Sequence, residues 1–317
     1  MKIVVLDGYC VNPGDLSWNA FSKLGECVVY ERTAPEQIVE RAREADALII
    51  NKAVITDEVL GQLPQLKYIG VLATGYNVVD LEAASRRNIV VTNIPAYGTE
   101  SVAQMVFAHI LNILNQVMHY ADETRDKVWS HQDDFCYWNT PLHELFGKKL
   151  GIIGFGNTGR AVARIAKAFG MTVYVYTSRT LARIPAGFVK ADLKVIFREC
   201  DIVSLHCPLT HDNLGMVNAA LLNSMKPTAI LINTARGGLV CEQDLADALN
   251  AGKLYAAGLD VLSTEPPRSD NPLFTARNCF ITPHIAWATA EARQRLMDKA
   301  VENLAAFLKG SPVNVVK

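Results

Sequence analysis

A glycine-rich stretch in the middle of the chain has the residue types and the spacing of a nucleotide-binding turn. It reads GIIGFGNTGRAVA and carries three glycines at the spacing G-x-G-x-x-G, namely Gly154, Gly156 and Gly159. A strand-like run at 150–153 precedes them, and a helical pattern at 160–169 follows. The glycines permit a tight turn, close approach of a pyrophosphate, and close packing of helix on strand. The stretch therefore predicts a dinucleotide at the helix N-terminus, the alternative being a structural turn without ligand.

The residues after the next strand-like run, 172–176, bear on which dinucleotide binds. A carboxylate about 20 residues after such a turn normally accepts hydrogen bonds from the adenosine ribose of NAD. Here Thr177, Ser178 and Arg179 stand at that place. Thr177 cannot repel a 2′-phosphate, Ser178 can donate to one, and Arg179 can pair with it bidentately. The sequence therefore favours NADP(H) and leaves NAD(H) open, with a solvated surface charge as the alternative for Arg179.

Three later stretches carry polar side chains directly after predicted strands. They are LINTARGGLV at 231–240, GLDVLSTEPP at 258–267 and ITPHIAWATA at 281–290. Loops at the carboxyl ends of strands line the ligand crevice of a doubly wound sheet, so Arg236, Glu265 and His284 are candidates to converge there. Spacing alone does not bring them together. A surface charge, a turn-shaping residue and a packed loop histidine are the respective alternatives.

Short apolar runs alternate with helical patterns, which predicts an α/β fold with parallel, doubly wound sheets. The predicted strands of the first third are 3–6, 27–30, 47–50, 68–72 and 89–91. A long helix from about Glu100 to Lys127 and an irregular segment, 128–146, follow. The pattern then restarts with about six strands at 150–153, 172–176, 201–205, 229–232, 256–259 and 279–281. The last helix is predicted over about 289–309, between Thr289 as N-cap and Gly310.

Length and composition limit the class of protein. A chain of 317 residues exceeds the size at which one core stops growing, so two domains are expected. A net charge of -1 offers no general attraction for nucleic acid or an anionic membrane. Seven scattered cysteines without a CxxC pair favour reduced thiols and a cytoplasmic location. The spacing of His, Cys and Asp predicts no metal site.

Five motifs together resemble the D-isomer-specific 2-hydroxyacid dehydrogenases over essentially the whole chain. They are GIIGFGNTGRAVA, VSLHCPLT, INTARGGLV, AGLDVLSTEPP and TPHIAWAT. ATGYNVVD, NIPAYGTESVAQ and DDFCYW resemble the glycerate dehydrogenase or hydroxypyruvate reductase subgroup. The resemblance implies two doubly wound parallel-sheet domains with a cleft between them. A flavodoxin-like substrate domain would comprise 1–98 plus 288–317, and a Rossmann domain for NAD(P) would comprise 99–287.

The resemblance also implies roles for the polar residues. His284 would be the general acid that protonates the carbonyl oxygen of a 2-keto acid as hydride reaches carbon. Glu265 would bond the other ring nitrogen, and Arg236 would bind the substrate carboxylate. The implied substrate positions are the backbone amides around Thr74, Gly75 and Tyr76. The implied cofactor positions, besides the turn glycines, are Thr158 at the pyrophosphate, His206, Cys207 and Pro208 near the adenosine, Thr234 and Ala235 beside the nicotinamide, and Asp260 at its carboxamide.

Some positions keep two interpretations. In a two-fold dimer, segment 128–142 would cross to the partner and Trp138 would line its substrate pocket; alternatively, Trp138 anchors the segment by burial. His206 is either an adenosine contact or a packed core histidine. His109 and His119, on the long helix, are candidates for a subunit interface.

The implied activity is hydride transfer between NAD(P)H and a small 2-keto acid to give a D-2-hydroxy acid. Hydroxypyruvate or glyoxylate is the first expectation for the substrate. D-lactate-type and phosphoglycerate-type dehydrogenases are the enzyme alternatives, and a dinucleotide-sensing, co-repressor-like binding protein is the alternative outside catalysis. A homodimer is expected, without nucleic-acid or membrane partners.

Overall fold

The computed structural model describes residues 1–317, apart from the side chain of Leu181. The chain divides into two compact units. The first unit comprises Met1–Gly98 and Trp287–Lys317, and the second comprises Thr99–Ala286. Trp287, which the sequence analysis places in the Rossmann domain, belongs to the first unit, where its ring meets that of Tyr97 with centroids 6.3 Å apart.

The first unit is built on a parallel sheet of five strands. Its strands are β1 (Lys2–Val5), β2 (Glu26–Val29), β3 (Ala47–Ile50), β4 (Tyr68–Val71) and β5 (Val90–Thr92). They lie in the order β2-β1-β3-β4-β5, which is the flavodoxin-like order. Its helices are α1 (Asn19–Ser22), α2 (Ile38–Ala42), α3 (Asp57–Gly61) and α4 (Leu81–Arg86) in the first segment. The interior strands β3 and β4 are buried throughout, which explains their continuous apolar sequences.

The second unit is built on a parallel sheet of seven strands. They are β6 (Lys149–Ile153), β7 (Thr172–Tyr176), β8 (Phe188–Lys190), β9 (Ile202–Leu205), β10 (Ile230–Asn233), β11 (Ala256–Leu259) and β12 (Cys279–Ile281). Its helices are α5 (Thr99–Asn115), α6 (Val117–Arg125), α7 (Asn157–Ala168), α8 (Leu193–Glu199), α9 (Ala219–Leu222) and α10 (Glu242–Asn250). The order β12-β11-β10-β9-β6-β7-β8 is the Rossmann order with one added strand. The order reverses between β6 and β9, which is where a doubly wound sheet binds its ligand.

The last helix, α11 (Ala290–Leu308), returns to the first unit and covers one face of its sheet. The predicted start of this helix is confirmed, because the Thr289 hydroxyl accepts a hydrogen bond from the amide of Ala292 at 3.3 Å. Gly310 follows the helix with a φ of 76°, the left-handed conformation typical of a helix end.

Two predicted elements need correction. The long helix is interrupted at Gln116, which has a left-handed φ of 47° and separates α5 from α6. The interruption lets α5 keep a buried face while the residues of α6 remain partly or fully exposed. The seventh strand, β8, is missing from the prediction because it is a short edge strand whose Val189 and Lys190 are exposed.

The segment after α6 is irregular, as predicted, apart from one 3₁₀ turn over Trp129–His131. Hydrogen bonds attach it to α6: the Tyr137 hydroxyl and Nδ2 of the Asn139 side chain donate to the Glu123 carboxylate at 2.8 and 2.7 Å. Trp138 is 67% exposed, so the interpretation that it anchors the segment by burial in this chain is wrong. Among the described residues, no helix is both long and apolar enough to span a membrane.

Candidate active site

The three glycines of the turn between β6 and α7 each have a structural reason. Gly154 has a φ of 100°, and a Cβ on it would lie 2.6 Å from the amide nitrogen of Cys207. A Cβ on Gly159 would overlap the carbonyl oxygen of Gly154, so this glycine lets the helix approach the strand. A Cβ on Gly156, the N-cap of α7, would meet no described atom within 4 Å. The turn therefore leaves the amides at the start of α7, including that of Thr158, open to an anion.

The turn after β7 carries the three residues that the sequence analysis relates to cofactor choice. The Thr177 hydroxyl accepts a hydrogen bond from the amide of Arg179 at 3.2 Å. The ammonium group of Lys190 donates to the carbonyl oxygen of Arg179 at 2.7 Å. Ser178 and Arg179 are exposed. Lys190, which was not among the predicted residues, lies on β8 and brings a second positive charge to this turn.

The loop after β9 packs directly against the glycine turn, through the contact of Gly154 with His206 and Cys207. Nε2 of His206 lies 2.9 Å from the Ser204 hydroxyl, and the histidine is half-buried. Burial lowers the pKa of His206 to about 3, so its ring is neutral near pH 7. Pro208 is exposed at the edge of the same loop. The loop is thus beside the turn, and its contact with an adenosine remains a prediction.

The Arg236 turn is held by an asparagine that the sequence analysis missed. Asn233, the last residue of β10, donates from Nδ2 to the Arg236 carbonyl at 2.9 Å and accepts from the Ala235 amide at 3.0 Å. A Cβ on Gly237 would overlap the backbone of Leu262, so the turn presses against the loop that follows β11. The exposed guanidinium of Arg236 donates to the carbonyl oxygen of Ala235 at 2.7 Å.

His284 and Glu265, which are 19 residues apart in sequence, are in direct contact. Nδ1 of His284 lies 2.5 Å from Oε2 of Glu265, and each side chain is about one-third exposed, at 32% and 33%. Oε1 of Glu265 accepts from the amide of Leu262 at 3.1 Å. The carboxylate therefore holds a proton on Nδ1 and leaves Nε2 as the ring nitrogen available to a substrate. Of the three predicted catalytic residues, the structure joins these two directly and places Arg236 on the turn packed against the Glu265 loop.

Asp260 is almost fully buried, and both of its carboxylate oxygens are engaged. Oδ1 accepts from the Thr282 hydroxyl at 2.6 Å and from the Ile285 amide at 2.9 Å. Oδ2 accepts from the Ala286 amide at 2.8 Å. Asp260 thus fixes the loop that carries His284, a function that the sequence analysis did not foresee.

The described residues fit a bound dinucleotide. The hydroxyl oxygen of Thr234, at the carboxyl end of β10, is buried and lacks a hydrogen-bond partner among the described residues. A buried, unpaired hydroxyl is costly unless a ligand satisfies it. Thr234 would hold the nicotinamide side together with Ala235, and the amides of the glycine turn would hold the pyrophosphate. In the part of the chain that the structure describes, no cluster of three or more His, Cys, Asp or Glu residues is placed to hold a metal ion.

In the first unit, the candidate substrate loop follows β4. The Thr74 hydroxyl donates to the Ile94 carbonyl at 2.9 Å, and Nδ2 of the Asn93 side chain donates to the Thr74 carbonyl at 2.7 Å. The amide of Val79 bonds the carbonyl of Tyr76, whose side chain is exposed. These bonds fix the loop around Gly75 at the carboxyl edge of the five-stranded sheet.

Known proteins share both the sequence motifs and the fold. Residues 107–286 match the family model of the D-isomer specific 2-hydroxyacid dehydrogenase, NAD binding domain. A hydroxypyruvate reductase of Blautia hydrogenotrophica is 49% identical, over 100% of this chain and 99% of that protein. A glycerate dehydrogenase of Methylorubrum extorquens is 41% identical, with the same coverage of 100% and 99%. The structure of an acyclic imino acid reductase in complex with NADPH and D-Arg has a TM-score of 0.86 at 33% identity, with 100% of each chain covered.

The fold and the site define an α/β oxidoreductase with a dinucleotide-binding turn at the switch point of its seven-stranded sheet. The chain belongs to the D-isomer-specific 2-hydroxyacid dehydrogenase family. It is an NAD(P)-binding dehydrogenase, and the family predicted from the motifs is confirmed. The two relatives also bear the names of the subgroup that the motifs indicate.

Proposed function

We propose that this dehydrogenase reduces hydroxypyruvate and glyoxylate, with NADPH as the preferred hydride donor. The observation that carries the proposal is the 2.5 Å contact between Nδ1 of His284 and Oε2 of Glu265, in the unit that contains the glycine turn. The activities named for the hydroxypyruvate reductase and glycerate dehydrogenase relatives support the choice of substrate.

The proposed chemistry assigns one task to each polar group. Bound NAD(P)H supplies the hydride. His284, protonated on both nitrogens, donates the proton of Nε2 to the carbonyl oxygen of the keto acid, and neutral His284 accepts it back in the reverse reaction. Glu265 orients the ring and balances the charge of the imidazolium. Arg236 releases the Ala235 carbonyl to bind the substrate carboxylate with its planar guanidinium.

Binding of the substrate carboxylate by the backbone amides around Thr74, Gly75 and Tyr76 is part of the same proposal. The bonds from Asn93 and to Ile94 support it, because they order this loop before any substrate binds. Ordered amides at the end of a strand are suited to a small anion, whereas a mobile loop would lose entropy on binding.

For the cofactor, we propose that the turn after β7 selects NADP(H). Ser178 and Arg179 would contact the 2′-phosphate, and Lys190 would hold Arg179 in place and add positive charge. The bond from Lys190 to the Arg179 carbonyl at 2.7 Å supports this arrangement. Asp260 would contribute to the carboxamide end of the cofactor mainly through the His284 loop that it fixes.

We also propose a homodimer in which the segment 128–142 contacts the partner. Two large apolar side chains of this segment are exposed to solvent: Phe135 is 89% exposed and Trp138 is 67% exposed. Exposed apolar clusters of this kind are typical of protein interfaces. Trp138 would then line the substrate pocket of the partner.

A kinetic panel tests the proposed function. Oxidation of NADPH and of NADH is followed at 340 nm with hydroxypyruvate, glyoxylate, pyruvate and phosphohydroxypyruvate. The proposal predicts the highest kcat/KM for hydroxypyruvate or glyoxylate with NADPH. A preference for pyruvate or for the phosphorylated acid would identify a D-lactate-type or phosphoglycerate-type enzyme. Absence of turnover with every acid and both cofactors would favour a dinucleotide-sensing protein.

A further inference from the structure

His109 is a buried polar residue in the interior of the second unit, and the interpretation that it lies at a subunit interface is wrong. It is on α5 and only 5% exposed. A Cβ on Gly258, in β11, would lie 2.8 Å from the Cβ of His109, so the glycine makes room for this side chain. His119, by contrast, is on α6, partly exposed, and bonded to Asn139 at 2.9 Å.

The ring of His109 begins a chain of hydrogen bonds whose direction can be derived. Nε2 of His109 lies 3.1 Å from the Thr282 hydroxyl, which lies 2.6 Å from Oδ1 of Asp260. A carboxylate only accepts, so the Thr282 hydroxyl donates to Asp260 and must accept from Nε2–H of His109. Burial lowers the pKa of His109, which keeps the ring neutral. The bond to Thr282 then places its one proton on Nε2.

The series of hydrogen bonds ends at backbone amides directly after His284, and a separate backbone bond lies directly before it. The Asp260 carboxylate accepts from the amides of Ile285 and Ala286, and the amide of His284 bonds the Thr282 carbonyl at 2.9 Å. His284 itself has a left-handed φ of 54°, a conformation that is unfavourable for a residue with a Cβ. The surrounding bonds must therefore hold it in this conformation.

The same helix reaches the loop at a second point. Ser101, which lies about two turns before His109 on α5, donates to the Ala286 carbonyl at 2.5 Å. Ser101 is also only 5% exposed. Helix α5 thus bonds both ends of the loop that carries His284: His109 bonds Thr282 at the start of the loop, and Ser101 bonds Ala286 at its end.

We propose that His109 is a positioning residue for catalysis, which orients the Thr282 hydroxyl toward Asp260 and thereby holds the loop that carries His284. The inference rests on the proposed function, because it concerns the efficiency of the same reaction. The Thr282 hydroxyl has an alternative acceptor in the Leu259 carbonyl at 3.5 Å. Without the bond from His109, the hydroxyl is free to turn toward that carbonyl and to release Oδ1 of Asp260.

The variant His109→Leu removes the donor and puts an apolar side chain of comparable size in its place. We expect kcat to fall about fivefold, which corresponds to the loss of about 1 kcal/mol from one neutral hydrogen bond. The KM for hydroxypyruvate and the Kd for NADPH should stay within about twofold. The melting temperature should not fall, because leucine is well accommodated in an apolar core. His109→Gln, whose amide can donate from a similar position, should restore most of kcat.

A double-mutant cycle and a control complete the test. Thr282→Val should lower kcat as His109→Leu does, and the double variant should be no worse than Thr282→Val alone. Ile113→Val, in the same buried face of α5, should lower stability and leave kcat unchanged. Wild-type kcat in His109→Leu, or fully multiplicative effects in the cycle, would overturn the positioning role. An inactive wild-type enzyme would instead refute the proposed function.

Discussion

Replacement of Glu265 by glutamine is the perturbation whose effect the structure defines most closely. Glu265 accepts two hydrogen bonds, from Nδ1 of His284 at 2.5 Å and from the Leu262 amide at 3.1 Å. The two bonds go to different oxygens, and in glutamine an NH2 group, which only donates, replaces one of them; glutamine also carries no charge to balance an imidazolium. A hydrogen bond to a charged group contributes about 1.5–3 kcal/mol. Since both side chains are about one-third exposed, we take the lower half of that range, which lowers kcat about 10- to 50-fold.

The assay is steady-state reduction of hydroxypyruvate at saturating NADPH, together with NADPH binding measured by fluorescence. Binding of NADPH should change less than about threefold, because Glu265 is assigned to the chemical step. Asp270→Asn is a matched control, since it removes a carboxylate that follows shortly after Glu265 and pairs with exposed Arg268 at 3.0 Å. The control should keep wild-type kcat. If folded Glu265→Gln also kept it, the assignment of Glu265 as the partner of the proton donor would be refuted.

Further predictions concern the cofactor, acid stability and the exposed segment. Arg179→Ala should weaken NADPH binding about tenfold or more and NADH binding much less, and equal losses in titrations with both would remove Arg179 from 2′-phosphate recognition. The pKa of His206 is about 3 in the folded chain and about 6.5 when unfolded, so the unfolded chain binds the extra proton between these values and stability falls as pH drops from about 6.5. His206→Asn should lessen that fall, which can be as steep as about 1.4 kcal/mol per pH unit. Urea unfolding at pH 7 and pH 5 measures the loss of unfolding free energy between the two pH values. A loss as large in the variant as in the wild type would contradict a neutral His206 in the folded chain. Trp138→Ala should shift either the monomer–dimer equilibrium in light scattering or the preference among keto acids, and a variant unchanged in both would remove Trp138 from the interface and the pocket.

The sheets and the glycine turn could be predicted because their signals are local. Strands buried on both faces, such as β3 and β4, are continuous apolar runs, and the turn needs its three glycines within six residues. The interruption at Gln116 could not be predicted, since glutamine carries no preference for the left-handed conformation. Strand β8 was missed for a related reason: a three-residue edge strand with exposed side chains has no apolar run.

For the site, sequence motifs indicated the residues to which we assign chemical roles, whereas the bonds that hold the surrounding loops needed the structure. Asp260, Asn233 and Lys190 act through bonds to loops, and nothing in their immediate sequence indicates the partner. His109 is the extreme case, because its partner Thr282 lies 173 residues further along the chain. The pattern on α5 indicates only a helix with a buried face. It does not show that a histidine on that face is bonded to the loop of His284.

The most direct test of the proposed reaction is the rate of hydroxypyruvate reduction by His284→Ala at saturating NADPH. If His284 donates the proton, kcat should fall by roughly 10²- to 10⁴-fold, while the Kd for NADPH stays near that of the wild type. A folded His284→Ala variant with kcat within a few-fold of the wild type would contradict proton donation by this histidine.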